Sequence, residues 1–213
     1  MLFPSFKEEL KYLKQGYELI IGCDEAGRGP VAGPVVAAAC ILDPKNIGGR
    51  GKDKWYARVR DSKTISERER EILAKKIKKN ALVCSVGIVS EREIEKLNIH
   101  NASLLAMHKA ISKIISQTPR GKRLFVLIDG KFKISNLRTP QQAIINGDAL
   151  SLSISAASII AKTHRDAIMR ELDKKFPKYG FAKHKGYYTK EHQKALRKWG
   201  RSPVHRKSFI KQG

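Results

Sequence analysis

Four acidic residues stand where apolar runs of the sequence end. Asp24 and Glu25 close Leu19-Ile20-Ile21-Gly22-Cys23, Asp129 closes Leu124-Phe125-Val126-Leu127-Ile128, and Asp148 follows the shorter run Gln142 to Asn146. Short apolar, β-branched runs of this kind read as buried strands. Carboxylates at such strand ends lose hydration and repel one another unless a cation lies between them. Oxygen donors without His or Cys partners suit Mg²⁺ or Mn²⁺ rather than zinc. A set of this size suits two ions roughly 3.5–4 Å apart, holding the attacking and leaving oxygens of an in-line phosphoryl transfer.

Charge points to the same chemistry. Over 213 residues, 43 Lys and Arg stand against 20 Asp and Glu, a net +23. A field of that sign favours polyanions, above all nucleic acid. Metal-dependent phosphodiester chemistry on nucleic acid is therefore the class deduced. Each acid also has a plainer reading. Asp24-Glu25 before glycines fits polar turn chemistry, Asp129 before Gly130 fits a turn, and Asp148 fits a helix N-cap. Recurrence of one pattern at three strand ends favours the shared role. A non-catalytic basic RNA or DNA binder explains the charge but not the acids. An anionic-membrane binder ranks last, because no strong basic amphipathic helix stands out.

The elements that must position the acids follow in order. Phe6, Leu10 and Leu13 predict a short helix over 3–16, ended by Gly16. Strands follow at Leu19–Cys23 and Val35–Leu42, with a polar loop over 45–60. Ser66 and Glu69 form a capping box for a helix, and Ala81–Ser90 is a third strand. Glu91–Leu97 reads as a short helix, and Asn98 precedes a longer one that Pro119 stops. The fourth and fifth strands, at 124–130 and 142–146, lead to a small-residue helix over Ser151–Phe176. The first three strands fit an antiparallel meander, with the last two added in parallel through helical crossovers. Residues 1–176 read as one body and 177–213 as a small appended lobe with one clear helix near Lys190–Trp199. Phe6-Lys7-Glu8-Glu9-Leu10 lacks a secretory pattern, and Cys23, Cys40 and Cys84 read as small buried hydrophobes of a reducing compartment. A cytoplasmic monomer is expected.

Gly27, Gly29, Pro30, Gly33 and Pro34 forbid a helix directly after the first acids. That excludes a dinucleotide fingerprint at Gly27-x-Gly29-x-x-Ala32, which needs a helix N-terminus for the pyrophosphate. Lys63, Lys183, Lys185, Arg197 and Arg206 are candidate phosphate contacts, although a solvated surface charge explains any single lysine. With two ions to activate water no histidine base is required, so His100, His164, His184, His192 and His205 read as structural or phosphate-facing. Asp166 lies too far along its helix from Asp148 to share one pair of metal ions, roughly 20 Å at 1.5 Å per residue, and suits a neighbouring Lys or Arg as partner or a tether for the appended lobe.

Asp24-Glu25-Ala26-Gly27-Arg28-Gly29-Pro30 resembles the signature of the ribonuclease HII family. So do Asp61-Ser62-Lys63, Val126-Leu127-Ile128-Asp129-Gly130, Gly147-Asp148-Ala149 with Ala156-Ala157-Ser158-Ile159, and His205-Arg206 with Ser208-Phe209, all in family order. The resemblance implies an α/β ribonuclease H-like fold, a five-stranded mixed sheet with flanking helices and a C-terminal helical extension that contacts nucleic acid. It implies endonucleolytic cleavage of RNA in RNA–DNA hybrids and 5′ of single ribonucleotides in duplex DNA, leaving 3′-hydroxyl and 5′-phosphate ends. Asp24, Glu25, Asp129 and Asp148 match the catalytic, metal-binding acids, with Mg²⁺ or Mn²⁺ as cofactor. Gly27, Arg28 and Gly29 match the segment that senses the ribose 2′-hydroxyl, and Tyr187 the tyrosine at the RNA–DNA junction, with Tyr179 and Tyr188 close by in sequence. Lys63, Lys185 and Arg206 complete the expected substrate-binding set. The same fold acting on a branched DNA junction is the alternative within nucleases.

Overall fold

A computed structural model describes residues 4–47, 55–59, 62 and 65–210. In chain order the elements are α1 (Lys7–Leu13), β1 (Leu19–Ala26), β2 (Val35–Leu42), α2 (Glu67–Asn80), β3 (Ala81–Val89), α3 (Glu91–Gln117), β4 (Leu124–Asp129), β5 (Gln141–Ile144), α4 (Gly147–Leu150), α5 (Leu152–Lys175), α6 (Phe181–His184) and α7 (Lys190–Trp199). The strands form one sheet ordered β3-β2-β1-β4-β5. β1, β2 and β3 are an antiparallel meander, and β4 and β5 run parallel to β1, as the strand pattern predicts.

Strand alternation divides the core between two sides. Ile21, Cys23, Val35, Ala37 and Ala39 join Ala106, Ala110 and Ile114 of α3 on one face. Ala38, Cys40 and Leu42 meet Leu73 and Ile77 of α2 and Ala156, Ala157 and Ile160 of α5 on the other. The small residues of α5 let it lie against β1: a Cβ on Gly22 would come within 2.2 Å of the Ser153 backbone. Ser151 caps α5, so the helix begins where the small-residue stretch begins. Asn98 breaks α3 at φ 63°, and its side chain accepts from the Asn101 N–H at 3.1 Å, which separates the two predicted helices.

Three expectations need correction. β1 runs on to Ala26 in its ladder with β2, so Asp24 and Glu25 lie inside the strand, past the end of its pairing with β4, and not at the strand's end. Residues 130–140, between β4 and β5, contain no helix. Their backbone is served instead by the Gln141 side chain, which accepts from Ile134 N–H at 2.8 Å and donates to the carbonyls of Ile134 and Leu137. Burial of Ile134 and Leu137 anchors that loop without helical period. The segment read as a polar loop, where described, sends Trp55 and Val59 into the core.

Glu9 on α1 is fully buried. Its Oε1 accepts from the Ser153 N–H at 2.8 Å and the Ser151 hydroxyl at 2.6 Å, which ties α1 to the first turn of α5. Burial pushes this carboxyl above its ordinary value, outweighing those hydrogen bonds. A raised folded value means stability is fully present below the unfolded value and declines as pH rises through the folded one. Glu9→Gln keeps an accepting Oε1 and removes the charge. Its melting temperature should match wild type in acid and exceed it by about 2–4 °C at pH 8, about 1 kcal/mol for a chain of this size. Thermal unfolding across that pH range checks this, and a variant less stable at pH 8 would refute it.

Candidate active site

β1 and β4 run parallel with Cys23 paired to Ile128, so the next residues, Asp24 and Asp129, emerge side by side. Asp24, Glu25 and Asp129 line one cleft of about 210 Å³, together with Ala26 to Gly29, Ser62, Ser158, Lys162, Arg165 and Tyr187. Asp24 is buried, while Glu25 and Asp129 are half-buried. Burial first, then the charges of Glu25 and Asp129, hold the Asp24 carboxyl well above the usual carboxylate range. The Glu25 N–H, at 2.6 Å from Oδ1, and the Ser158 hydroxyl oppose that shift only in part. Glu25 is matched by Arg28 at 3.1 Å.

Asp129 Oδ1 accepts from the Gly147 N–H at 2.7 Å and the Asp148 N–H at 3.4 Å. The first turn of α4 thereby brings Asp148 next to Asp129, although Asp148 does not line the cleft itself. Among the described residues no three His, Cys, Asp or Glu side chains already converge tightly enough to enclose a metal ion.

The glycine turn wraps the cleft's rim. Gly27 has φ +99°, and a Cβ there would lie 2.1 Å from Arg165 Nε. Arg165 is buried and donates to the carbonyls of Pro34 (3.0 Å), Ala32 (3.1 Å) and Lys185 (3.0 Å). Arg206, also buried, donates to those of Gly27 (2.7 Å), Arg28 (3.0 Å) and Gly33 (2.9 Å). Arg206 therefore braces the turn and does not reach out to a phosphate. Lys185 is likewise not on the cleft: its ammonium meets Glu67 at 3.0 Å and the Ala182 carbonyl at 2.7 Å. Lys183 pairs with Glu191, and Arg197 is exposed on α7. Lys63 lies outside the described residues, as does Asp61 of the same motif.

The three tyrosines separate. Tyr187 is 47% exposed and lies 3.7 Å from where a Gly29 Cβ would be. Tyr179 is buried with Phe181, and Tyr188 is exposed away from the cleft lining. Ala32 and Met169 share that cluster, so Tyr179 and Phe181 pack directly behind the glycine turn.

His184, His192 and His205 are buried together, with His192 Nε2 at 2.9 Å from His205 Nε2. Burial and the His192 neighbour push His205 down to about 4, so it is neutral at pH 7. His192 Nδ1 is hydrogen-bonded to the Tyr187 carbonyl at 2.9 Å, which gives these rings a structural task beneath Tyr187. Asp166 pairs with Lys162 at 2.7 Å and Arg70 at 3.6 Å, the kind of partners expected for it.

Ser158, Lys162 and Arg165 were missed as cleft residues by reasoning from strand ends. The signal was present, since positions i, i+4 and i+7 share one helix face. They form the α5 wall of the cleft.

A mixed five-stranded sheet with this order, with acids where the parallel pairing of β1 with β4 stops and helices on both faces, defines a ribonuclease H-like protein. The crystal structure of the ribonuclease H2 from Pyrococcus horikoshii OT3 superimposes with a TM-score of 0.68 at 25% identity, covering 90% of this chain and 93% of that one. Bst-RNase HIII in complex with Mn²⁺ gives 0.66 at 20% identity, covering 85% and 63%, which supports the fold. The family model for ribonuclease HII matches residues 21–212. Ribonuclease HII of Desulfitobacterium hafniense is 48% identical over 204 residues, 95% of this chain and 73% of that protein. The chain belongs to the ribonuclease HII family and is a hydrolase of the ribonuclease H type. Among the described residues no helix is long and apolar enough to cross a membrane.

Proposed function

We propose that the protein hydrolyses the RNA strand of RNA–DNA hybrids and cuts 5′ of single ribonucleotides embedded in duplex DNA, leaving 3′-hydroxyl and 5′-phosphate ends. The observation that carries this reading is the buried Asp24, desolvated beside Glu25 and Asp129, next to a glycine turn with an exposed tyrosine. The donor set fits divalent ions: all the ligating atoms are carboxylate oxygens, and their mutual repulsion is relieved by a cation. Asp24, Glu25, Asp129 and Asp148 would hold two Mg²⁺ or Mn²⁺ ions. Such ions would lower the pKa of an attacking water and neutralise charge on the reacting phosphate.

The chain's own residues do the rest. Ser158 and the Glu25 N–H orient the Asp24 carboxylate, and the α4 N–H groups orient Asp129. Only the 2′-hydroxyl marks a ribose among deoxyriboses. Gly27 and Gly29, without Cβ atoms, let backbone groups of the turn approach that hydroxyl. Tyr187 packs its ring on the sugar at the junction, and residues 177–213 serve as the nucleic-acid-contacting extension of the body 1–176. The three free cysteines suit a reducing cytoplasm.

The test compares a DNA duplex carrying one ribonucleotide, a long RNA–DNA hybrid and an all-DNA branched junction, each with and without Mg²⁺. Metal-dependent cutting 5′ of the ribonucleotide is expected, at least about 10³-fold faster than any cutting of the junction, a difference of about 4 kcal/mol in barrier. Preference for the junction would remove the ribose-sensing role from the turn.

A further inference from the structure

Lys162 lies on the α5 wall of the cleft that Asp24, Glu25 and Asp129 also line. Its side chain is only 19% exposed, and its ammonium donates to Asp166 Oδ1 at 2.7 Å. Asp166 is itself buried, with its other oxygen 3.6 Å from Arg70. Arg70 donates to the carbonyls of Ser62 and Ile65. The Ser62 hydroxyl meets that of Ser158 at 3.0 Å, and Ser158 is hydrogen-bonded to Asp24. One polar network thus runs from the acids to Lys162 and back through α2.

Among the described residues, the other cations of the cleft wall are committed elsewhere. Arg165 donates to three backbone carbonyls, and Arg28 is drawn to Glu25. An ammonium has three donors, and Asp166 takes one of Lys162's. Desolvation by itself disfavours the charged lysine, and Asp166 counters that. Lys162 is therefore a braced, half-sequestered cation beside acids that repel any phosphate strand entering the cleft.

We propose that Lys162 grips a backbone phosphate of the substrate strand inside the cleft, with Asp166 and Arg70 as positioning residues that hold its ammonium there. This rests on the reading of the cleft as a nuclease site and assigns it a cationic ligand on α5. A second point of contact so near the acids fixes the strand along the line between β4 and α5.

Lys162→Gln tests this, because the amide still donates to Asp166 and the fold has no buried charge left alone. Lys162→Arg keeps the charge. Binding is read on an all-DNA duplex in Mg²⁺ as a function of KCl, and turnover on the single-ribonucleotide duplex. For Lys162→Gln the slope of log K against log[KCl] should fall by about 0.9, one phosphate contact. Turnover should fall about 10²-fold, the scale of losing one preorganised charge contact. Lys162→Arg should keep the slope and stay within about 10-fold of wild-type turnover. Asp166→Asn should lower turnover and recover part of it when the ionic strength is reduced, which loss of fold alone does not produce. Melting temperatures check that each variant is folded. An unchanged slope with turnover within about 3-fold for folded Lys162→Gln overturns the proposal. Wild-type protein that cuts no ribonucleotide substrate overturns the nuclease reading instead, while the slope difference remains readable on duplex DNA.

Discussion

Replacing Asp24 by Asn is expected to lower kcat at least about 10³-fold and, at the same time, to raise the melting temperature of the metal-free protein by about 2–4 °C. The two effects share a cause. The Asp24 carboxyl is desolvated and faces the charges of Glu25 and Asp129, which hold it well above its ordinary range. Asn removes the anionic oxygen yet keeps an Oδ1 to accept from the Glu25 N–H, now at 2.6 Å, and from Ser158. Relief of about 1 kcal/mol corresponds to that shift in melting temperature for a chain of this length. On the metal role proposed for Asp24, the loss of rate follows because the ions this oxygen would seat would supply several kcal/mol of charge stabilisation at a phosphate, and each 1.36 kcal/mol is about tenfold. Thermal unfolding with and without Mg²⁺ separates the parts. An ion at about 100 times its Kd stabilises wild type by about 2.7 kcal/mol, and the variant should lose most of that. A variant that cuts at the wild-type rate, or that melts lower without metal, would contradict the role given to Asp24. Glu25 has less repulsion to relieve, being matched by Arg28 at 3.1 Å.

That Asp24 and Asp129 follow buried strand runs was legible, because the burial of such runs needs no knowledge of the fold. Parallel pairing of β1 with β4 then turns the ends of those separate runs into neighbours. The α5 wall was written in the helical spacing of Ser158, Lys162 and Arg165, but which face of a small-residue helix meets a site is decided by packing. The fates of Lys185 and Arg206 were not legible. A cation in a polar, basic stretch is by default solvated, and hydropathy carries no word of carbonyls lacking donors elsewhere in the chain. The 27–34 turn has such carbonyls, because its glycines and prolines take it out of the ladder between β1 and β2. The demand for donors arises near the N-terminal third of the sequence and is met at Arg165 and Arg206. The loop between β4 and β5 is a related case, in which one Gln141 side chain replaces the hydrogen bonds of an expected helix.

Arg206→Ala should lower the melting temperature by about 6–12 °C and, in the folded variant, slow cleavage more than it weakens duplex binding. The substitution strips donors from the carbonyls of Gly27, Arg28 and Gly33. A buried carbonyl left without a partner costs about 1–3 kcal/mol. Removing a desolvated cation from beside Arg165 offsets part of that, since burial and Arg165 both push the Arg206 guanidinium below its ordinary value. A net loss of about 3 kcal/mol gives the stated range at about 2–4 °C per kcal/mol. Arg206→Lys should recover little, because a single ammonium lacks the planar fork that reaches three carbonyls. The turn is also where Gly27 and Gly29 would approach the ribose, so its loosening should appear in kcat. A surface phosphate contact behaves in the opposite way. Its loss leaves the melting temperature alone and reduces the salt slope of duplex binding by about 0.9. That second pattern in Arg206→Ala would return the side chain to the nucleic-acid interface and leave the turn to be held by Arg165 and by Tyr179 and Phe181 packed behind it.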